Sequence, residues 1–213
     1  MSAPRRPYRL GRRMATVETT RERIVAAAFH LHATVGPSRT TISAIAERAC
    51  VQRHTVYSHF PDIDSLYVAC TTHGMAAMGM PTAVGPWSGI DEPVPRLRAG
   101  LTALTAWYRT NAVVLQTLLS DVDPTMPPPL SPDPYTARMT ELRAGIARGW
   151  RVRRERQQRF GAILDHVIAF ETWRSLSEGG LTDSAIVDLL VAIVRGVADG
   201  SLGDQGPTVG SSL

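Results

Sequence analysis

The amino-acid sequence predicts an all-α protein, and three observations support this prediction. Apolar residues recur at steps of three and four along most of the chain, which is the period of one face of a helix. Clusters of glycine and proline interrupt this period, as they do between helices. No stretch alternates apolar and polar residues in the manner of a half-buried strand. We expect two helical domains, at residues 20–65 and 66–200, between flexible ends at 1–19 and 201–213.

The composition is that of a globular protein, since 44% of the 213 residues are hydrophobic and 20% are charged. No run approaches the roughly 20 apolar residues of a membrane span. No apolar stretch follows the N-terminal arginines as it does in a secretory signal. We therefore expect a cytoplasmic protein that does not bind a membrane. The two cysteines, Cys50 and Cys70, are too few for a disulfide framework or a zinc site and are expected to be ordinary thiols.

Charge is distributed unevenly along the chain. Residues 1–60 contain ten arginines and three glutamates, a net charge of +7. Residues 61–213 contain 13 arginines and 16 acidic residues, a net charge of −3. A basic N-terminal part on a slightly acidic body indicates a polyanionic partner for the N-terminal part.

The first helix is expected to begin near Thr20, because residues 1–19 are rich in proline and arginine and have no apolar period. The Gly36-Pro37 pair ends this helix. Thr41 is a good N-cap for a second helix. A third, short helix is expected over about residues 52–58, after a break in the period. Asp62 can cap a fourth helix.

Two proline-rich loops, at residues 81–95 and 121–134, divide the rest of the chain. The helices that the apolar period predicts there lie at about 93–110, 111–120, 135–150, 155–178 and 182–197. Thr182 is the expected N-cap of the last one.

Hydrogen-bonding side chains are concentrated in the segment AERACVQRHTVYSHF, residues 46–60. Two short helices joined by a tight turn, with Ala46, Val51 and Val56 inside, match the layout of a helix-turn-helix. In that layout the first residues of the second helix meet base edges in the major groove of DNA. The residues at this position are Arg53, His54 and Thr55.

Residues 21–66 resemble the N-terminal domain of the TetR family of transcriptional regulators. The resemblance rests on Gly36, on the segment TTISAIAERACVQ that starts at Thr40, and on the segment TVYSHF that starts at Thr55. It implies a three-helix DNA-binding domain followed by a C-terminal helical domain for effector binding and dimerisation. The implied partner is double-stranded DNA with a palindromic operator, which a homodimer reads as two half-sites. The residues with implied DNA contacts are Thr41, Ser43, Gln52, Arg53, His54, Thr55, Tyr57 and His59.

These residue types suit the contacts that the resemblance implies. Arginine pairs with guanine and threonine presents a methyl group to thymine, whereas tyrosine and histidine donate hydrogen bonds to phosphate. The alternative for each residue taken singly is a solvated surface side chain. An arm that reaches the minor groove and a solubilising tail both remain open for five N-terminal arginines, Arg5, Arg6, Arg9, Arg12 and Arg13.

The sequence departs from the family pattern at four positions. Cys50 replaces the glycine that is usual in the turn, and Gln52 replaces serine at the start of the third helix. Ile63 stands where the family often has lysine, and His32 replaces a core phenylalanine. A side chain at residue 50 costs about 1 kcal/mol if the backbone there has a positive φ.

The resemblance implies that the last two long helices form the dimer interface and that the middle helices enclose an effector. The expected dimer contacts are Ile186, Leu190, Ile193 and Val197. The expected effector is small and largely apolar, since methionine and aromatic side chains form adaptable apolar cavities. The candidate pocket walls are Met75, Met78, Trp107, Leu115, Met139, His166, Phe170 and Trp173. The alternative for both sets is burial in the core of the single chain.

The sequence therefore favours a homodimeric DNA-binding regulator, and a repressor more than an activator. A dimeric DNA-binding factor without an effector stays open as the alternative. An all-α enzyme is the rival from another class, but the chain lacks His-x-x-x-His, Glu-x-x-His and glycine-rich phosphate motifs. We expect no catalytic site, no metal and no cofactor. An arginine-rich run at residues 148–159 resembles a nucleic-acid patch, although a solvated, salt-bridged linker is the favoured interpretation.

Overall fold

The computed structural model describes residues 6–82, 84–120 and 133–202, with side chains from residue 17 onward. Across these ranges the chain folds into α-helices joined by turns, and no strand occurs in them. The prediction of an all-α protein is thus confirmed. The helices are α1 (Arg6–Val35), α2 (Ile42–Arg48), α3 (Arg53–His59), α4 (Ile63–Ala77), α5 (Pro93–Ser120), α6 (Pro134–Ile146), α7 (Gln157–Val167), α8 (Phe170–Glu178) and α9 (Asp183–Asp199), with a short 3₁₀ helix at Arg154–Arg156.

The chain divides into two compact units that are not contiguous in sequence. The first unit comprises Met1–Met78 and Val113–Tyr135, and the second comprises Gly79–Ala112 and Thr136–Leu213. This division differs from the boundary expected at residue 65, because α4 packs into the core of the first unit rather than starting the second. Helix α5 contributes residues to both units.

The core of the first unit joins its first four helices. Ile24 and Ala28 of α1, Ile45 of α2, Val56 of α3 and Leu66 of α4 are buried together. Full burial of an isoleucine, valine or leucine side chain contributes about 1.5–3 kcal/mol. Helices α2 and α3 are too short to be stable alone, so this packing is what holds them in place.

Helices α1 and α4 approach each other closely at a glycine. A Cβ atom on Gly74 would lie 2.5 Å from Cε2 of Phe29, so no larger residue fits there without displacing the ring. Nearer the start of α4, Tyr67 Oη donates a hydrogen bond to Asp133 Oδ1 at 2.9 Å. Burial, together with this hydrogen bond, raises the pKa of Tyr67 to about 12.

The three predicted helix caps are confirmed. The backbone N–H of Ala44 donates to Oγ1 of Thr41 at 3.1 Å. Oδ1 of Asp62 accepts from Ser65 N at 2.6 Å, and Oγ1 of Thr182 accepts from Ala185 N at 3.3 Å. Each cap satisfies an N–H group that the first turn of a helix leaves without an intrahelical partner.

Two helix boundaries in the N-terminal half of the chain differ from prediction. Helix α1 begins at Arg6, so residues 6–19 of the expected arm are helical, whereas residues 1–5 lie outside the described ranges. The two helices expected at 93–120 are a single helix, α5. The segment has no glycine or proline near residue 111, and Nδ2 of Asn111 donates back to the carbonyl of Trp107 at 2.9 Å, so the helix continues.

The long helix expected at 155–178 is interrupted between α7 and α8. Ala169 adopts an extended conformation, with φ −73° and ψ 138°. Two hydroxyl groups satisfy carbonyls at this break: Thr172 Oγ1 donates to His166 O at 2.6 Å, and Tyr108 Oη donates to Ile168 O. The interruption is stabilised from outside the segment, since Tyr108 belongs to α5.

The second unit contains an aromatic core that connects α5 with α8. Tyr108 packs against Phe170 and Trp173 with ring centroids 5.4 and 5.8 Å apart. Nε1 of Trp173 donates to Asp183 at 3.0 Å. Arg109 binds both carboxylate oxygens of Asp183 at 2.7 Å, which lowers the pKa of this carboxyl group. These contacts join α5, α8 and the start of α9.

No helix in the described ranges is long and apolar enough to cross a membrane.

Candidate nucleic-acid interface

A tight turn at residues 49–52 connects α2 to α3. Val51 N donates to Ala46 O at 2.9 Å and Cys50 N donates to Glu47 O at 3.0 Å, which closes the turn on the end of α2. Ala46 and Val56 are buried and Val51 is half-buried, as the sequence predicts. The two helices therefore form the expected helix-turn-helix.

Cys50 has a φ of 52° and is the single non-glycine residue with a positive φ in the described ranges. This left-handed conformation is the one that a glycine would adopt without steric cost. A side chain there costs about 1–2 kcal/mol. The predicted penalty for replacing glycine at this turn is thus present, and the thiol of Cys50 is exposed.

Arg23 of α1 holds the turn from the other side. Its guanidinium donates to the carbonyl of Ala49 and to the carbonyl of Cys50 at 3.2 Å. Both carbonyls lie past the last turn of α2, where helix carbonyls lack partners within the helix. Sequence reasoning missed Arg23, because the residue is 26 positions away from its acceptor and no local pattern links the two.

Most of the predicted DNA contacts lie on the surface. Tyr57 is 50% exposed although it is an aromatic residue. Thr55 and His59 are half-buried. The exposed members of the predicted set are Thr41, Ser43, Gln52, Arg53, His54 and Tyr57.

Several of these side chains have no partner in the part of the chain that the structure describes. The side chain of Gln52 makes no capping hydrogen bond at the start of α3. Arg53, His54 and Tyr57 have no hydrogen bond or ion pair with another described residue. The hydroxyl of Thr41, by contrast, already accepts the N–H of Ala44, so toward a phosphate it has only its proton to donate. Helix α3 thus presents a row of unpaired donors to solvent.

The structure shows the surroundings of two of the departures from the family pattern, Ile63 and His32. Ile63 is 63% exposed at the first position of α4, so it contributes an apolar group where a lysine would offer a charge. His32 is half-buried, and its Nδ1 lies 3.3 Å from Sγ of Cys70. Burial lowers the pKa of His32 and raises the pKa of Cys70 to about 12. This pair is therefore a neutral contact between α1 and α4.

The arginines of the N-terminal arm remain untested. Arg5 lies outside the described ranges, and the side chains of Arg6, Arg9, Arg12 and Arg13 do as well.

Comparison with known families assigns this part of the chain. Residues 24–70 match the model for bacterial regulatory proteins of the tetR family. The chain carries a TetR-family DNA-binding domain. The matched range covers α2 and α3 completely, together with the last 12 residues of α1 and the first eight of α4. DNA binding and transcription regulation are the functions of such a domain. No curated protein sequence matches the chain.

Three solved structures are similar to the chain over most of its length. A TetR-like transcriptional regulator from Rhodococcus sp. RHA1 has 19% identity and a TM-score of 0.48, over 85% of this chain and 96% of that one. A variant of HlyIIR with a segment substituted by alanine has 17% identity and a TM-score of 0.48, over 93% and 100%. RolR in complex with the ligand resorcinol has 16% identity and a TM-score of 0.45, over 87% and 94%.

The predicted effector residues outside the TetR-family domain are distributed over both units. In the second unit, Trp107, Phe170 and Trp173 are buried and pack on Tyr108 or on one another, which makes them core residues. Met139 is half-buried. His166, at the end of α7, is exposed, and its Nε2 lies 3.4 Å from Oγ1 of Thr172. In the first unit, Met75 and Leu115 are buried and Met78 is half-buried.

A groove of about 840 Å³ does occur in the first unit, between α1 and α2. Arg23, His30, Glu47, Arg48 and Cys50 form its polar rim. It contains none of the predicted effector residues and lies beside the turn of the TetR-family domain. No group of three His, Cys, Asp or Glu side chains within the described ranges is placed to hold a metal ion.

The predicted dimer contacts on α9 fall into two groups. Ile186 and Leu190 are 0% and 2% exposed in the single chain, which fits the alternative of burial in its own core. They face the second unit's own core because the broad apolar face of α9 is needed there. Ile193 and Val197 are half-buried. Leu189 is 40% exposed, and Ala185 and Ala192 on the same face are exposed as well.

Proposed function

We propose that the protein is a homodimeric repressor that binds a palindromic operator in the cytoplasm. The observation that carries this proposal is the row of exposed, unpaired side chains along α3, held in place by a buried helix-turn-helix core. Arg53, His54 and Thr55 occupy the first positions of the reading helix, where base contacts are made. Tyr57 and His59 follow at its end and donate to phosphate.

Two reading helices are needed for tight binding, because one helix-turn-helix buries too little surface. The exposed apolar stripe on α9 formed by Ala185, Leu189 and Ala192 supports dimerisation through this helix. Residues four and three apart lie on the same face of a helix, so the stripe is continuous. Ile193 and Val197, which are half-buried, border it on the same helix.

A small, largely apolar effector would release the repressor by binding one conformation more tightly than the other. The candidate side chains fall into two separate sets, of which one would recognise the effector. Met75, Met78 and Leu115 belong to the first unit, and Met139 and the aromatic residues of α5 and α8 belong to the second. The alternative is a dimeric regulator without an effector. It is favoured by the direct packing of Trp107, Phe170 and Trp173 around Tyr108. A thermal-shift screen with apolar compounds separates the two, since only a ligand of the folded state raises the melting temperature.

The decisive experiment for DNA binding compares wild type with Arg53→Ala on a duplex obtained by unbiased selection. We expect the substitution to weaken specific binding by about 1–3 kcal/mol and to relax the choice of base at one position. Random duplex should lose much less affinity. A gel-shift titration measures both.

Arg138→Ala is the matched control, because it removes one arginine from α6, outside both the TetR-family domain and α9. It should leave specific binding unchanged. Equal losses for Arg53→Ala on selected and random duplexes would mean that Arg53 contacts only phosphate. Failure of wild type to enrich any duplex would reject the proposed function.

A further inference from the structure

We propose that residues 148–159, here called the basic segment, form a second DNA-binding surface that contacts backbone phosphates of a duplex without reading sequence. The segment belongs to the second unit and is separate in sequence from the TetR-family domain. It contains six arginines and one acidic residue, Glu155. The exposed arginines are Arg148, Arg151, Arg153, Arg154 and Arg159.

The charges of Arg151, Arg153 and Arg154 are little compensated within the described ranges. Nη1 of Arg153 lies 4.0 Å from Oε1 of Glu155, and both side chains are exposed. Arg151 and Arg154 have no hydrogen bond or ion pair with a described residue. The Arg153–Glu155 pair fits the solvated, salt-bridged linker that the sequence favours, whereas Arg151 and Arg154 keep unpaired charge. Exposed guanidinium groups without ion-pair partners, such as those of Arg151 and Arg154, attract polyanions.

The backbone of the segment is anchored by inward-facing groups. The ring of Trp150 packs on buried Phe160, with centroids 5.5 Å apart. Val152 is half-buried, whereas its neighbours Arg151 and Arg153 are exposed. In an extended segment successive side chains point to opposite sides, which fits this pattern. Arg148 donates to Ser88 O at 3.4 Å. The arginines are therefore presented outward from a fixed backbone.

Gly149 allows this arrangement, because it has a φ of +93°. An added Cβ atom would also lie 3.4 Å from the carbonyl oxygen of Asp91. A side chain there would be strained, and the turn that leads into the exposed arginines depends on a glycine.

The side chains of the segment favour duplex phosphates over other polyanions. Its exposed residues are arginine, glycine, glutamine and glutamate, and none is apolar or aromatic. Without exposed apolar groups the segment cannot insert into a lipid interface. Without an exposed aromatic ring it offers no platform on which bases of a single strand stack. Arginine forks bind phosphate oxygens bidentately, which suits the regular backbone of a duplex.

The inference needs only that DNA is a partner of the chain, and its test does not depend on a specific operator. The 213-residue chain and a variant with Arg151→Ala, Arg153→Ala and Arg154→Ala are titrated with a long random-sequence duplex at several salt concentrations. Each phosphate contact contributes about 0.9 to the slope of log K against log salt. We expect the variant to reduce the slope by about 2–3 per bound chain and to bind about tenfold or more weakly at low salt.

The control variant removes three arginines from the same unit outside the segment, with Arg98→Ala, Arg138→Ala and Arg195→Ala. It carries the same change of net charge and should keep nearly the wild-type slope. A variant with glutamate at residues 151, 153 and 154 should lose more affinity than the alanine variant. Circular dichroism melts confirm that each variant is folded.

An unchanged slope in the alanine variant, or an equal reduction in the control, overturns the proposal. Loss of binding to phosphatidylglycerol vesicles with an unchanged DNA slope also overturns it, and assigns the segment to a membrane surface. Because the readout is random duplex, failure of the protein to select an operator would reject the proposed function and leave this test intact.

Discussion

At the scale of single residues, the strained turn between α2 and α3 leads to a prediction about stability. Cys50 has a left-handed backbone, with φ at 52°, and glycine adopts this conformation without the clash of a Cβ atom. We expect Cys50→Gly to raise the free energy of unfolding by about 1 kcal/mol. Urea denaturation measures the change.

Cys50→Ala is the control for this prediction, because alanine removes the thiol and keeps the Cβ atom. It should leave stability near that of wild type. If alanine stabilised the protein as much as glycine, the thiol rather than the backbone would be the cause.

His32 leads to a prediction about pH. Burial lowers its pKa below the ordinary imidazole value of 6.5, so the folded protein binds fewer protons than the unfolded chain. The stability that the neutral ring contributes is complete above pH 6.5 and is lost as the pH falls toward the folded-state pKa. We expect His32→Phe to reduce the loss of melting temperature between neutral and mildly acidic pH.

His30→Gln is the matched control, since His30 lies on the same helix and is exposed. Its melting temperature should depend on pH as that of wild type does. A pH dependence unchanged in His32→Phe would show that other groups cause the acid sensitivity.

At the scale of helices, the break between α7 and α8 depends on hydroxyl groups. Thr172 is 8% exposed and donates to His166 O at 2.6 Å. Thr172→Val keeps the shape and leaves the carbonyl with one partner fewer. We expect a loss of about 1–3 kcal/mol in the free energy of unfolding, measured with urea.

Thr110→Val serves as the comparison, because the hydroxyl of Thr110 makes a similar bond to Ala106 O at 3.0 Å on an exposed helix face. Its cost should be well below that of Thr172→Val. Equal losses in the free energy of unfolding would indicate that the loss of a hydrogen bond alone, and not its burial at the break, destabilises the variant.

The sequence predicted those elements whose signals are local. Thr41, Asp62 and Thr182 cap helices through bonds to residues three positions away, so the cap pattern can be read directly. The break at Ala169 could not be read, because the segment has no glycine or proline at that point. The hydroxyl group of Tyr108, which donates to the carbonyl of Ile168 at this break, belongs to a residue 60 positions earlier in the chain.

The same limit applies to the candidate site. The residues of α3 were found because the helix-turn-helix places them by spacing alone. Arg23 was missed, since its bond to the turn is a tertiary contact. On α9 the sequence contains more apolar positions than one face needs. Only the packing of the second unit shows that Ile186 faces inward and Leu189 outward.

At the scale of the whole molecule, the exposed stripe on α9 leads to a prediction about assembly. Leu189→Asp places a charge at the centre of the proposed dimer contact, where burial without a partner is costly. We expect the variant to be monomeric at concentrations at which wild type is a dimer, and to lose operator binding. Sedimentation or light scattering measures the mass.

Val113→Asp is the control on an exposed apolar residue of the other unit, since Val113 is 80% exposed. It should leave the mass unchanged. A monomeric wild type, or a dimeric Leu189→Asp variant, would exclude α9 as the contact.

The contrast between the two thiols makes the protein suitable for site-selective labelling. The chain contains two cysteines. One is buried, with a pKa raised to about 12, and the other is exposed beside the reading helix. The thiolate is the reactive form, so a maleimide fluorophore should attach at Cys50 and spare Cys70. Natural protein, with no engineered site, would then carry an optical reporter next to the surface that we propose meets DNA.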